Sequence, residues 1–396
     1  MSTGAVLPSA TPPDPATLRS ALEQVAQYGV LGHTAADLLD VGTGPFLAYV
    51  EREIFADLVA RGGATCRFFE GSYGSGKTHL LRLIGDRATA RGLAVVQIEL
   101  SRDLGLEDWS QITRYILERI EVYRDGTLVR SLPDILSALG RGGLSGVAAL
   151  RRAHLPHAGF RAAMLRAVGE PTLPAPLRDY LRGERIGAAQ LKRAGILGIR
   201  DPLSRRNAEQ VLNTALGGLH HLGLPGTLLL FDENERTLIS DRTGRAAFPK
   251  RLQTAANVMR RFIDGCTTGG IAGTIAVFAV LPGFLENATR LYPALGQRLE
   301  MTRDADIPPA WRWPVLPVDA VGTTPLPEDF LAQIATRLTD LVAATGQSIT
   351  DLYPALHAAG TAVLAEQAGS GYRRPLMRRL AALTLERLDD SVVSSQ

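Results

Sequence analysis

Gly71-Ser72-Tyr73-Gly74-Ser75-Gly76-Lys77-Thr78 is a full match to GxxxxGK[ST], the phosphate-binding loop pattern. Its glycines let the backbone wrap tightly, so that N–H groups converge on phosphate oxygens. In such a loop Lys77 reaches the β- and γ-phosphates, and the Thr78 hydroxyl ligates Mg²⁺. The flanks agree with this reading. Cys66-Arg67-Phe68-Phe69-Glu70 predicts a short strand running into the loop. Lys77 to about Ala88 predicts a helix, with Leu80, Leu81, Leu83, Ile84 and Ala88 on one apolar face. The phosphates of a bound ATP then sit at the helix N-terminus, where unpaired N–H groups and the dipole favour anions. Only three lysines occur (Lys77, Lys192 and Lys250), so arginine supplies nearly every other positive charge. That one of the three occupies the lysine position of the motif argues against a chance glycine-rich turn.

A second stretch completes the reading. Leu228-Leu229-Leu230-Phe231 predicts a buried strand, and Asp232-Glu233 stands at its C-terminal end, the end at which ligands gather in open α/β sheets. Downstream of a P-loop this is a Walker B pattern. Asp232 is expected to hold Mg²⁺, directly or through water, and Glu233 to orient or deprotonate the attacking water. Glu235 and Arg236 follow, either as further charges around the site or as surface charges at a helix start.

The remaining elements fit around these two. Ala16 to Gln27 and Phe46 to Val59 look helical. Leu93 to Leu100 and Gly273 to Leu281 are apolar enough for covered strands of a parallel sheet. Trp109 to Ile120 has helical periodicity, and Trp313 to Val318 is a plausible last strand. Glu328–Ala344, Asp351–Gly369 and Arg374–Leu388 then form three helices. The expectation is an α/β P-loop fold, with a parallel sheet flanked by helices. Its domains are a disordered tail over 1–17, a nucleotide-binding core over 18–323 and a C-terminal three-helix lid over 324–396. A mostly helical insertion, at about 124–215, interrupts the core.

Composition bounds the rest. The chain has 396 residues and a formal net charge of +3. No apolar run approaches the roughly 18 residues of a membrane span. The Pro-, Ala-, Ser- and Thr-rich N-terminus lacks the charged and apolar regions of a signal peptide. Cys66 and Cys266 are isolated, without metal-ligand spacing. A cytoplasmic protein that contacts no membrane is expected. His154 with His157, and His220 with His221, have no Cys or carboxylate cluster nearby and do not read as a metal site. Between Arg141 and Arg206 there are 13 basic and 4 acidic residues, a local balance of +9. Such a segment can mark a duplex-DNA backbone surface. It can equally be the solvated face of helices in an arginine-rich chain.

The order of lead-in helices, P-loop, strand, insertion, Walker B, strand and helical lid resembles AAA+ ATPases of the origin-recognition and replication-initiator group. A closer likeness is to the ATP-binding proteins of bacteriophage-exclusion (BREX) systems. It is carried by Gly62 to Thr78 with its Tyr-Gly-Ser-Gly-Lys-Thr form, by Gly226 to Glu233, and by Arg374-Pro375 with the helix that follows. The resemblance implies ATP hydrolysis within an antiphage defence system, alongside other defence-system proteins. It also implies a nucleotide-dependent homo-oligomer. By the same resemblance Gly371-Tyr372-Arg373-Arg374 is similar to the lid motif whose last arginine senses the γ-phosphate, which nominates Arg374. Arg298, in Tyr292-Pro293-Ala294-Leu295-Gly296-Gln297-Arg298, stands where an arginine finger for a neighbouring subunit is often placed.

Two features depart from the pattern. The strand after Walker B ends Ala279-Val280-Leu281-Pro282, without the polar residue expected to sense phosphate. The sequence beyond the lid has no room for the winged helix of origin-recognition proteins, so any DNA contact falls to the insertion or to a partner. A nucleotide-gated scaffold that hydrolyses poorly and recruits a helicase, nuclease or methyltransferase therefore stands as the alternative, and a loader of replication or repair factors as a third reading.

Overall fold

Every apolar run marked as a strand in the sequence enters one seven-stranded sheet, ordered β4-β3-β2-β5-β6-β1-β7. The computed structural model describes residues 13–29, 33–101, 103–139, 144–232, 249–300, 310–312, 314–322, 326–347, 349–366 and 370–393. In chain order the elements begin with α1 (Pro15–Tyr28), α2 (Gly44–Tyr49) and a π-helical stretch over Val50–Val59. Next come β1 (Ala64–Glu70), α3 (Lys77–Ala90), β2 (Ala94–Glu99), α4 (Trp109–Arg119), β3 (Glu121–Arg124) and β4 (Thr127–Arg130). The helices α5 (Leu132–Leu139), α6 (Leu144–Arg152), α7 (Ala158–Ala167), α8 (Ala175–Leu181), α9 (Ala188–Arg193) and α10 (Ala208–His221) follow. Then come β5 (Thr227–Asp232), α11 (Pro249–Thr267), β6 (Thr274–Val280), α12 (Phe284–Leu291), α13 (Pro293–Glu300) and β7 (Val315–Pro317). The chain closes with α14 (Pro327–Ala344), α15 (Leu352–Glu366) and α16 (Arg373–Val393).

The contacts divide the chain into two units, Leu47–Glu70 with Ile84–Leu316, and Met1–Phe46 with Gly71–Leu83 and Pro317–Gln396. The first holds the sheet. Strands β2, β5, β6 and β1 run parallel, and β6 separates β1 from β5. Registers align three phenylalanines on neighbouring strands, Phe68 on β1, Phe278 on β6 and Phe231 on β5. Their rings stack, with centroids 5.4 Å apart for Phe68–Phe278 and 4.4 Å for Phe231–Phe278. Phe262 of α11 packs edge-on against both Phe231 and Phe278. All four rings are buried, so the centre of the sheet is a close-packed aromatic ladder. On the same sheet, α3 lies close enough that a Cβ at Gly85 would meet Leu230 at 3.4 Å. Cys66 lies in this core and Cys266 packs against it; burial pushes both thiols up, Cys266 to about 12. Cys66 is thus a small buried core residue.

The hairpin β3–β4 stands where a helical insertion is expected from about residue 124. Asp125 (φ 50°) and Gly126 (φ 79°) both take left-handed backbone, the two-residue turn that matches strand twist and favours Asp-Gly. The pair adds two antiparallel strands to the parallel centre. The signal was present in Glu121-Val122-Tyr123-Arg124-Asp125-Gly126-Thr127-Leu128-Val129-Arg130. The helical part of the insertion therefore runs from α5 to α10, between β4 and β5.

The second unit is helical and is assembled from three separated stretches of sequence. Helices α14, α15 and α16 share a core formed by Phe330, Leu331, Ile334, Leu338, Leu356, Leu376 and Leu380, among others. Helix α1 joins that core through Leu18, Leu22 and Val25. It starts at Asp14, whose carboxylate accepts the Thr17 N–H at 2.9 Å, and stops at left-handed Gly29 (φ 67°). Gly29 is needed twice over, since a Cβ there would meet the Arg374 side chain at 2.7 Å. Although its place in the sequence groups it with the nucleotide core, the apolar face of α1 packs with the C-terminal helices. Among the described residues no helix is long and apolar enough to cross a membrane.

Candidate nucleotide site

The loop that follows β1 owes its shape to glycine. Gly74 (φ 83°) and Gly76 (φ 99°) lie in the left-handed region, where other residues are strained. A Cβ on Gly71 would collide with the Ser75 hydroxyl. The Ser75 N–H donates to the Ser72 carbonyl at 3.2 Å, closing the turn. Lys77, only 7% exposed, donates from Nζ to the carbonyls of Gly71 (2.7 Å) and Ser72 (3.0 Å). Its ammonium is thus held over the mouth of the loop. Thr78 lies in the first turn of α3. The loop delivers a helix N-terminus, a buried cation and a hydroxyl together, which is the chemistry a polyphosphate with Mg²⁺ requires.

The loop also packs against the start of α16. The Tyr73 ring is 67% exposed, and the Arg374 guanidinium lies 4.6 Å from its centroid. Arg374 also donates a short hydrogen bond to the Tyr73 hydroxyl. Arg373, which precedes the nominated Arg374 in that motif, goes deeper. Its Nη1 donates to the Ser75 carbonyl at 3.0 Å. Its guanidinium lies 5.2 Å from the Phe330 ring centroid and 3.7 Å from the Asp319 carboxylate. The two backbones nearly touch: a Cβ on Gly74 would come within 2.9 Å of the Gly371 carbonyl, and one on Gly371 within 2.8 Å of the Tyr73 carbonyl. Two glycines facing each other thus permit the approach, and the run Gly371-Tyr372-Arg373-Arg374 carried that signal. Beyond the loop, His79 lies 3.6 Å from Asp40, which also accepts from the Thr43 hydroxyl at 2.6 Å.

In the sheet unit, Asp232 ends β5 one residue beyond the phenylalanine ladder, paired with Glu99 of β2. Its backbone carbonyl accepts the Leu100 N–H at 3.0 Å. Glu233, Glu235 and Arg236 lie outside the described residues. Strand β6 is buried at every position from Thr274 to Val280, and its last residues are apolar, as the sequence indicated. Arg298, on α13, donates from Nε to Asp264 of α11 at 2.7 Å, and the same carboxylate pairs with Arg260. Among the described residues no group of three or more His, Cys, Asp and Glu is placed to hold a metal. His157 instead caps α7, accepting the Phe160 N–H on Nδ1 at 2.9 Å.

A phosphate-cradling loop between a parallel strand and a helix defines the P-loop nucleotide-binding class, and the sheet order is compatible with it. Residues 18–135 match the family model described as BREX system ATP-binding protein BrxC/D. Over that stretch, which includes the whole loop, the chain is close to the ATP-binding proteins of BREX systems. No curated protein and no solved structure matches the chain.

Proposed function

We propose that this chain is an ATP-hydrolysing component of a BREX-like antiphage defence system. The observation that carries the reading is the loop itself: Gly74 and Gly76 in left-handed backbone, with buried Lys77 at its mouth. In this reading residues 71–78 cradle the phosphates. Thr78 and Asp232 take Mg²⁺, which offsets charge on the β- and γ-phosphates. Glu233 activates water for in-line attack on the γ-phosphorus, and Arg374 senses the γ-phosphate. Catalysis then rests mainly on positioning and charge stabilisation. Arg298 acts on a neighbouring subunit of a nucleotide-dependent oligomer, for which it has to leave Asp264. The basic insertion meets duplex DNA, and other defence proteins act on that DNA. The family match supports the ATP-binding part of this reading.

The test separates binding from turnover. Lys77→Ala is expected to abolish tight ATP binding, because it removes the cation facing the phosphates. Glu233→Gln is expected to keep ATP affinity and lose hydrolysis, because an amide cannot act as a base. Nucleotide titration and phosphate release on both variants decide the matter, and unchanged turnover in Glu233→Gln removes the catalytic assignment. One observation favours the second reading, a nucleotide-gated scaffold: β6 offers no polar side chain at its C-terminal end. Stoichiometric ATP binding with no turnover, with or without DNA, would select that reading.

A further inference from the structure

Arg373 bonds the loop in a way that bears on a specific backbone donor. Its Nη1 holds the Ser75 carbonyl at 3.0 Å. The Ser75–Gly76 peptide is planar and trans, so its carbonyl and its N–H point in opposite directions. Fixing the carbonyl toward α16 therefore fixes the Gly76 N–H away from it. Glycine alone would not keep that orientation: at φ 99° Gly76 has no side chain to bias the peptide. The arginine is itself well held. Its side chain is 15% exposed, Phe330 forms a plate beneath the guanidinium, and Asp319 lies at its other edge. Ser75 is fully buried, so water cannot readily replace the lost partner.

We propose that Arg373 is a positioning residue for nucleotide binding, which locks the Ser75–Gly76 peptide so that the Gly76 N–H is presented to the phosphates. The inference rests on the ATP-binding reading and adds to it a role distinct from that of Arg374. Arg374 stacks on the exposed Tyr73 ring, whereas Arg373 acts through the loop backbone. Charge on the donor strengthens the hydrogen bond and polarises the peptide, which makes its N–H a better donor. P-loop N–H groups cradle the phosphates shared by ADP and ATP. Losing Arg373 therefore weakens both nucleotides alike, whereas losing a γ-phosphate contact weakens ATP alone.

Titration of ATP and of ADP into wild type, Arg373→Met, Arg373→Lys and Arg374→Met, with thermal unfolding of each, tests the proposal. Arg373→Met is expected to weaken ATP and ADP by the same factor, about tenfold or more for a lost charged hydrogen bond. Arg373→Lys, which keeps one charged donor, is expected to recover part of that loss at unchanged thermal stability. If Arg373→Met does not fold, the Lys variant still carries the test through the equality of its ATP and ADP losses. A loss confined to ATP overturns the positioning role in favour of direct γ-phosphate contact. Unchanged affinity for both nucleotides overturns it outright. A wild-type chain that binds neither nucleotide removes the ATP reading and this inference with it, and Lys77→Ala identifies that case by behaving like wild type.

Discussion

Burial holds the His157 imidazole below its ordinary pKa, with the nearby Asp201 opposing the shift. The neutral ring is the form the structure uses, because Nδ1 must accept the Phe160 N–H that opens α7. The sign follows from linkage. The unfolded chain binds the proton more readily, so the stabilisation is complete above the ordinary histidine value of about 6.5 and is lost as the pH falls through the lower folded value. Thermal unfolding followed from pH 8 down to 5 is expected to show a steeper decline in wild type than in His157→Asn, which can still cap but does not titrate. His220, also lowered by burial and then by His221, keeps a residual slope in the variant. Equal slopes in the two proteins would rule out the cap as the titrating element. At this scale the sequence was legible where chemistry is local. The P-loop pattern is complete within eight consecutive residues. The pairing of Arg298 with Asp264 is long-range and has no local signature, and the run Gly371-Tyr372-Arg373-Arg374 does not by itself say that Arg373 grips Ser75.

Among the elements, β6 is the most demanding. It pairs on both sides and places Phe278 between Phe68 and Phe231. Phe278→Ala removes the middle rung, and neighbours on paired strands cannot collapse into the space. A loss of about 3–5 kcal/mol is expected, in the range of buried aromatic truncations. Denaturant unfolding measures it, and a loss near 1 kcal/mol would mean that the ladder is not the keystone of the sheet. The strands of this parallel centre were readable because a strand covered on both faces is a continuous apolar run. The β3–β4 hairpin alternates and is partly exposed, so it has no such run. Its one strong mark is Asp125-Gly126, which is easily passed over at the start of a long helical stretch.

For the whole molecule, charge is distributed unevenly, and the folded chain refines where. Among the insertion's exposed cations are Arg151, Arg152, Arg193 and Arg206. Arg205, their neighbour in sequence, is engaged with Asp108, the capping residue of α4, at 2.7 Å. A clean test of the DNA proposal therefore leaves Arg205 alone and reverses the other four to Glu. DNA affinity is expected to fall and its dependence on salt to flatten, because each lost phosphate contact releases less counterion. ATP affinity is expected to stay unchanged. No binding of duplex DNA by wild type at about 50 mM salt, where such contacts are strong, would leave the segment as a partner dock or a structural element.

The unit formed by α1 with α14, α15 and α16 has a consequence for how the protein is made. Helix α1 is synthesised long before α16, with which it shares its core. Throughout the intervening synthesis Leu18, Leu22 and Val25 have no native surface to cover them. A chain that stops short of α16 leaves that stripe in water, whereas one that includes α16 covers it. Truncation before α16 is therefore expected to make α1 readily cleaved, which limited proteolysis measures.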